Sequence, residues 1–210
     1  KHENVYVICD EIYEHINFTG QHASMAQFDF IYDRVVTVNG LSKAYAMTGW
    51  RLGYIGAPLW IAKACDKIQG QYTSATFSIT QKAAIAALNG DISTTLVMKE
   101  AFLRRRDLVF QLLQDIKGLK FNNPQGAFYF FPDVSNYFGK SYNGHTIKNA
   151  DDMALYLLHE GNISVVTGSA FGDANCIRFS YATSDDKLVE GMKRMKMALE
   201  KLVNNPVPVA

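Results

Sequence analysis

The sequence predicts an α/β unit up to about residue 100 and a compact α+β unit over 101–210, joined by a long helix. Apolar, β-branched runs that stop at polar residues indicate buried strands of a mainly parallel sheet. A helical pattern over 92–116 is long enough to leave one domain and enter another. Short strand and helix patterns follow it, which is typical of an α+β arrangement.

Strands and helices of the first unit follow from the spacing of apolar residues. Extended stretches are predicted at 5–9, 34–38 and 50–56. The first stops at the acidic pair Asp10-Glu11, and the second runs into Asn39-Gly40, a turn signal. We expect these two strands to be buried on both faces, as parallel strands are. Helical spacing with alanine-rich turns occurs at 59–72 and 78–88.

The second unit begins after the long helix, which Gly118 is expected to stop. Strands are predicted at 126–131, 163–166 and 176–181, and helices at 150–160 and 184–203. Ser184 is a candidate cap for the last helix, and Pro206 follows its end.

Composition excludes several classes of protein. Lys and Arg number 21 against 20 Asp and Glu, so the net charge of +1 favours neither nucleic acid nor an anionic membrane as partner. No apolar run is long enough to cross a bilayer. Cys9, Cys65 and Cys176 lie far apart, and the histidines lack helical metal spacing, so we expect neither a metal site nor disulfides. A reducing cytoplasm is the expected compartment.

Lys43 is a candidate nucleophile because it directly follows a predicted buried strand, at the sheet edge where α/β folds bind ligands. A lysine amine attacks carbonyls only when neutral, a form that desolvation or a neighbouring cation such as Arg51 favours. Ser42 and Thr48 offer hydroxyl groups that suit a phosphate. The alternative is an ordinary solvated loop lysine.

Asp10 ends a strand at the same edge, and Tyr13 follows shortly after it. Asp10 could simply cap a helix or loop. A buried carboxylate can instead hold a proton on a cofactor ring nitrogen, as in pyridoxal enzymes, and a phenol beside it could bond the ring hydroxyl.

The first unit has too few strands and helices to cover its own sheet. We therefore expect the chain to be the C-terminal part of a longer protein. An intact mass near 23.5 kDa for the natural polypeptide would count against this hypothesis.

Several segments together resemble class I/II pyridoxal-phosphate aminotransferases of fold type I. They are Asp10-Glu-Ile-Tyr13, the block from Ser42-Lys43 to Gly53-Tyr54, Pro124-Gln-Gly-Ala-Phe-Tyr129, Gly168-Ser-Ala-Phe-Gly172 and Ile177-Arg-Phe-Ser-Tyr-Ala182. The match covers nearly the whole chain. Val38-Asn-Gly40 is most similar to the bacterial-type aspartate aminotransferase branch, whose relatives act on prephenate or aromatic amino acids.

The resemblance implies a role for each matching residue. Lys43 would bind the cofactor covalently and shuttle the substrate proton. Asp10 would pair with the pyridine nitrogen and Tyr13 with the ring hydroxyl, while Ser42 and Arg51 would hold the phosphate. By the same resemblance, residues 1–100 would be the C-terminal portion of the cofactor-binding large domain, and 101–210 the small C-terminal domain.

Arg178 would bind the substrate α-carboxylate, a contact that suits a planar guanidinium. Tyr129 and Phe171 would line or support that site. Without the motif, Arg178 could equally be an outward-facing strand arginine, since it shares an alternating face with Cys176 and Ser180.

The implied activity is transamination between aspartate and 2-oxoglutarate with ping-pong kinetics, pyridoxal 5'-phosphate as cofactor and a homodimer as the assembly. The wider family often has serine at the position of Gly40, whereas the aspartate branch commonly has glycine there. The family's glycine turn, stacking aromatic ring and Asn-Pro-x-x-Pro-Thr-Gly segment would precede Lys1. We therefore expect the 210 residues alone to bind pyridoxal phosphate poorly.

Two other functions remain open on the same scaffold. One is the effector-sensing, aminotransferase-like domain of a transcription regulator, which a winged-helix pattern upstream would favour. The other is a pyridoxal-phosphate lyase or synthase, which product analysis separates from transamination.

Overall fold

The structure is a computed structural model that describes His2 and residues 4–204. The chain divides into two compact units, Lys1–Glu100 and Ala101–Ala210. The predicted long helix is present as the third helix of the chain, Ser93–Gln114, and the division falls within it. Assignment of the two units to the large and small domains of an aminotransferase stays a prediction.

A small mixed sheet organises the first unit. Its strands are β1 (Val7–Asp10), β2 (Val35–Gly40) and β3 (Gly53–Gly56), in the order β1-β2-β3. β1 runs parallel to β2, whereas β3 is antiparallel to β2. The helices are α1 (Leu59–Tyr72), α2 (Ser78–Asn89) and α3 (Ser93–Gln114), so the predicted helices are confirmed to within two residues at each end.

Burial of the strands differs from the expectation for β1. Val35 and Val36 of β2 are buried as predicted, but Ile8 of β1 is 73% exposed and Val5 before it is also exposed. β1 pairs only with β2 in the described part of the chain, and one of its faces packs against little there. The prediction that both faces of β1 are buried is therefore wrong for this chain on its own.

Asn39 and Gly40 are not a turn, as the sequence predicted, but the buried last residues of β2. They pair with Tyr54 and Gly53 of β3. A Cβ atom added at Gly40 would lie 3.0 Å from the carbonyl oxygen of Leu52, so the close approach of β3 leaves little room for a larger residue here.

Short antiparallel strands make up the sheets of the second unit. They are β4 (Tyr129–Phe130), β5 (Lys140–Tyr142), β6 (His145–Thr146), β7 (Val166–Thr167), β8 (Ile177–Ser180) and β9 (Val203–Asn204), arranged in the orders β4-β8-β7 and β6-β5-β9. The helices are α4 (Ala150–Gly161) and α5 (Asp185–Glu200).

The predicted strands of the second unit are too long, for local reasons. Ala127 adopts a left-handed φ of 56°, so the extended segment begins only at Tyr129. Asn162 is also left-handed, and the N–H of Ile163 donates to the carbonyl of Leu157, so the cap of α4 occupies residues predicted as strand.

The ends of two helices also depart from the sequence pattern. Gly118 has a positive φ of 94°, as its predicted role in stopping the long helix requires, but α3 already ends at Gln114. Ser184 is the N-cap residue of α5, although its side chain makes no capping hydrogen bond. α5 ends at Glu200 because the chain then enters β9, and Pro206 lies outside the described residues.

The main hydrophobic core lies in the second unit, between its helices and the β4-β8-β7 sheet. Fully buried members include Leu113, Phe130, Met153, Leu157, Ile177, Tyr181 and Met195. The buried phenols are hydrogen-bonded, since Tyr181 Oη donates to the Ala127 carbonyl and Tyr156 Oη to the Ala198 carbonyl. Burial raises the pKa of Tyr156 to about 12 and raises that of Tyr181 as well, so both phenols stay protonated.

Replacing Leu157 by alanine should destabilise the second unit by about 2–5 kcal/mol, because it removes a wholly buried side chain and leaves a cavity. Leu155→Ala on the same helix is the matched control, since Leu155 is 55% exposed and Leu157 is 0% exposed. Urea unfolding of the natural polypeptide, followed by circular dichroism, compares the two. Equal midpoints for both variants would contradict the described packing of α4.

Candidate active site

Lys43 lies in the turn that follows β2, between the buried residues Leu41 and Ala44. Its side chain is partly buried, and Nζ lies 5.8 Å from the centre of the Tyr13 ring. The structure therefore brings Lys43 and Tyr13 together at the carboxyl end of the parallel pair β1 and β2, the edge expected from the sequence. An amine over a phenol ring is a favourable contact when the amine is charged.

Asp10 ends β1 and pairs in register with Val38 of β2, which places it at the same sheet edge. It is exposed in this chain, and its Oδ1 accepts a hydrogen bond of 3.2 Å from the N–H of Ile12. That contact is the capping interaction considered from the sequence, and it engages one of the two carboxylate oxygens.

Ser42 and Arg51 are linked through Thr48. The Thr48 hydroxyl donates to the Ser42 carbonyl at 2.8 Å, and Arg51 Nη1 donates to the Thr48 carbonyl at 2.8 Å. Arg51 has a left-handed φ of 54° and lines a shallow pocket with Gly49, Trp50 and Thr80. The turn thus holds a hydroxyl and an exposed guanidinium on one short segment, a combination that suits a phosphate.

Thr95 was not singled out from the sequence, yet it fixes the lysine turn. It is almost fully buried in the first turn of α3, and its hydroxyl donates to the Ala44 carbonyl at 2.9 Å. A threonine near a helix start gives no sequence signal for a partner so distant along the chain. This hydrogen bond holds Ala44, the residue after Lys43, against α3.

A polar network behind the sheet edge was also missed. The buried Glu11 accepts from Ser24 Oγ at 2.7 Å and lies 2.9 Å from His22 Nε2. Asn39 Nδ2 donates to Glu14 Oε1 at 2.7 Å. Ligand atoms of Glu11, Glu14 and His22 lie within 4.8 Å of one another, but these hydrogen bonds already account for the cluster.

Arg178 lies on β8 of the second unit, with its guanidinium close to two aromatic rings. Its Cζ is 3.8 Å from the centre of Phe171 and 4.5 Å from that of Tyr129. Phe171 is in turn held edge-on by Phe131, with ring centres 6.2 Å apart. Arg178 is partly buried and contacts both rings, so it does not extend freely into solvent.

The edges of the Arg178 guanidinium are available for a ligand. Within residues 4–204, no acidic side chain forms an ion pair with Arg178 and no hydrogen bond engages its guanidinium N–H groups. Both rings lie close to the guanidinium carbon, and the in-plane N–H donors of a guanidinium match a planar carboxylate. The geometry favours an anion receptor over a structural ion pair.

The cysteines do not offer a competing nucleophile near Arg178. Cys9, Cys65 and Cys176 are all free thiols. Burial, followed by a hydrogen bond and the negative charge of Asp173, raises the pKa of Cys176 to about 11. Because the thiolate is the reactive form, Cys176 is expected to be inert at neutral pH.

A sheet edge with a lysine, an acid and a phenol is characteristic of pyridoxal-phosphate enzymes. The sequence profile of the family "Aminotransferase class I and II" matches residues 1–194. The chain therefore belongs to the class I and II aminotransferases, a family that depends on pyridoxal phosphate.

Relatives and solved structures agree with this assignment. The chain is 45% identical to a bifunctional aspartate aminotransferase and glutamate/aspartate-prephenate aminotransferase of Petunia hybrida, over 100% of this chain and 44% of that protein. It is 43% identical to an aspartate aminotransferase of Rhizobium meliloti strain 1021, over 96% of this chain and 50% of that protein.

The crystal structure of the aspartate aminotransferase from Rhizobium meliloti superposes with a TM-score of 0.91 at 42% identity, covering 96% of this chain and 51% of that chain. The crystal structure of an aromatic aminotransferase from Pyrococcus horikoshii OT3 superposes with a TM-score of 0.85 at 37% identity, covering 95% of this chain and 52% of that chain. The predicted fold type I architecture is confirmed. The chain spans about half the length of the relatives that it matches.

No helix in the described part of the chain combines the length and the apolar character needed to cross a bilayer.

Proposed function

We propose that the protein carrying this chain is a pyridoxal-phosphate-dependent aminotransferase that exchanges the amino group of aspartate with 2-oxoglutarate. The observation that carries the proposal is the placement of Lys43 beside Tyr13 at the carboxyl edge of β1 and β2, in a chain of this family. The names of the relatives support aspartate as the amino donor.

The chemistry of the donor set in the first unit fits pyridoxal phosphate. Lys43 offers an amine for the aldehyde, Asp10 a carboxylate for the ring nitrogen, and Tyr13 a phenol for the ring hydroxyl. Ser42 and Arg51 offer a hydroxyl and a guanidinium for the phosphate, on a segment joined by Thr48. Bound pyridoxal phosphate supplies an aldehyde for covalent attachment and a ring that withdraws electrons from the substrate Cα.

The proposed work of the protein residues is to bind, orient and transfer a proton. The Lys43 amine would attach to the cofactor aldehyde and, as a free base, would accept the proton from the substrate Cα. The Asp10 carboxylate would hold a proton on the cofactor ring nitrogen. Arg178 would bind the α-carboxylate of each substrate through its guanidinium N–H groups.

The wider assignments follow from the same proposal. Residues 1–100 are the C-terminal portion of the cofactor-binding large domain, and residues 101–210 are the small domain. The assembly is a homodimer with small-molecule substrates and without nucleic-acid or membrane partners. The free thiols of Cys9, Cys65 and Cys176 support a reducing cytoplasm as its compartment.

Product analysis tests the activity directly. The natural polypeptide, loaded with pyridoxal phosphate, should convert aspartate and 2-oxoglutarate into equal amounts of oxaloacetate and glutamate, with parallel double-reciprocal plots as in ping-pong kinetics. Release of ammonia or carbon dioxide instead of glutamate would indicate a lyase. No turnover, together with binding to duplex DNA, would indicate a regulator.

A further inference from the structure

The side chain of Asn39 joins two segments that carry proposed cofactor-binding groups. Asn39 is 8% exposed and lies at the end of β2. Its Nδ2 donates to Glu14 Oε1 at 2.7 Å, and its Oδ1 accepts from the N–H of Gly40 at 2.7 Å. Both ends of the Asn39 amide are thus used, one within β2 and one on the segment that follows β1.

Backbone contacts fasten the same two segments nearby. The N–H of Glu11 donates to the Val38 carbonyl at 2.8 Å, which joins the two segments. Within the segment that follows β1, the N–H of Ile16 donates to the Tyr13 carbonyl at 2.8 Å. The Ile12 side chain lies 3.3 Å from a Cβ built on Gly40. The segment from Asp10 to Ile16 therefore lies against the end of β2, and the Glu14–Asn39 hydrogen bond is its side-chain attachment.

The Glu14–Asn39 hydrogen bond lies close in sequence to both Tyr13 and Lys43. Tyr13 directly precedes Glu14, and Ser42-Lys43 follow Asn39 by only a few residues. The bond therefore connects the segment that presents the phenol with the strand that presents the amine. Its partners are buried or half-buried, where a hydrogen bond to a charged group is strong and directional.

We propose that the Glu14–Asn39 hydrogen bond is a positioning device that sets the Tyr13 phenol relative to Lys43 and thereby tunes the reactivity of the lysine. The inference rests on the proposed function. Glu14 and Asn39 act through Tyr13 and Lys43 and touch neither substrate nor cofactor.

The surroundings of Glu14 are consistent with a charged acceptor. His15 Nε2 lies 3.3 Å from Glu14 Oε1, and Tyr54 of β3 pairs with Asn39. Burial first, and then the negative charges of Glu14 and Tyr45, raise the pKa of Tyr54. Tyr54 therefore stays protonated at neutral pH and adds no negative charge beside Glu14.

The test uses the natural polypeptide with pyridoxal phosphate and two readouts. One readout is the pH midpoint of the visible absorbance change that reports the proton on the Lys43 nitrogen of the adduct. A phenol that donates to the ring oxygen stabilises the form without that proton, so misplacing Tyr13 should raise the midpoint by about 1 pH unit. The other readout is kcat, which should fall about 10–100-fold with little change in KM.

Isosteric variants separate positioning from folding. Asn39→Asp places a second acid against Glu14 and should produce both effects, whereas Glu14→Gln keeps an acceptor for Asn39 and should show neither. Combining Asn39→Asp with Glu14→Gln exchanges donor and acceptor and should restore the wild-type midpoint and kcat. Glu100→Ala, an exposed glutamate of the same unit, is the matched control.

Each outcome decides the proposal. An unchanged midpoint and kcat in Asn39→Asp would overturn it while leaving the proposed function intact. Failure of the double variant to recover either quantity would overturn it as well, since a general loss of packing would then explain the defect. If the wild-type polypeptide forms no adduct at all, the proposed function fails and the inference falls with it.

Discussion

Replacing Lys43 by alanine is expected to lower the rate of transamination by about 10⁴-fold or more. Lys43 supplies both the amine that binds the cofactor and the base that moves the Cα proton, so one substitution removes two contributions. Its Nζ lies 5.8 Å from the Tyr13 ring centre, and no other lysine follows a strand of the described sheet so closely. The measurement is the steady-state formation of glutamate from aspartate and 2-oxoglutarate by the natural polypeptide.

Lys63→Ala is the matched control for this experiment. Lys63 is an exposed lysine on α1 of the same unit, so the substitution removes the same charge and side chain. Near-normal activity in Lys63→Ala beside loss in Lys43→Ala supports the assignment. A Lys43→Ala enzyme that keeps more than a tenth of wild-type activity would show that the catalytic amine lies elsewhere.

Replacing Arg178 by alanine should lower kcat/KM for both substrates by about 10–100-fold or more. Removing charge-assisted hydrogen bonds to a carboxylate costs about 1.5–3 kcal/mol, and the substrates share that carboxylate. Arg178→Lys should recover only part of the loss, because an ammonium cannot make the two-pronged planar contact and stacks less well between Phe171 and Tyr129. Initial rates over a range of aspartate and 2-oxoglutarate concentrations measure both effects.

Arg194 provides a control for the loss of a positive charge from the second unit. It is an exposed residue of α5 that pairs with Glu190 one turn away, so Arg194→Ala should leave kcat/KM within about twofold of wild type. Equal effects of the Arg178 and Arg194 substitutions would point to a general electrostatic contribution. An Arg178→Ala effect limited to one of the two substrates would contradict a shared carboxylate receptor.

Helices were the part of the fold best predicted from the sequence. α1 begins and ends at the predicted residues 59 and 72, because apolar spacing and the preceding Pro58 are both local signals. Strand limits were less predictable, since they depend on pairing with distant segments. The left-handed backbone at Ala127 shortens β4, and nothing in its composition indicates that conformation.

Burial of β1 could not be predicted correctly from its apolar run. The pattern at residues 5–9 is that of a strand with two covered faces, yet Ile8 is largely exposed. The apolar composition of a strand reflects the neighbours that cover it in the protein in which it evolved. A chain that spans about half the length of its relatives need not supply that environment.

The proposed site was predictable where a strand end and a chemically distinctive residue coincide. Lys43, Asp10 and Tyr13 are examples, and the structure brings Lys43 to Tyr13. Thr95, Glu14 and Asn39 were missed as site residues because their roles depend on partners far along the chain or on a neighbouring strand. Asn39-Gly40 was predicted as a turn because Asn-Gly is a local turn signal. Its pairing with β3 depends on the fold and has no local signal.

Reduction with borohydride tests the central assignment most directly. The natural polypeptide is incubated with pyridoxal phosphate, reduced, digested with trypsin and mapped by mass spectrometry. Attachment at Lys43 blocks cleavage there, so the label should appear on the peptide of residues 35–51, which ends at Arg51. A label confined to another lysine, or complete cleavage after Lys43 in a protein that binds the cofactor, would contradict Lys43 as the site of attachment.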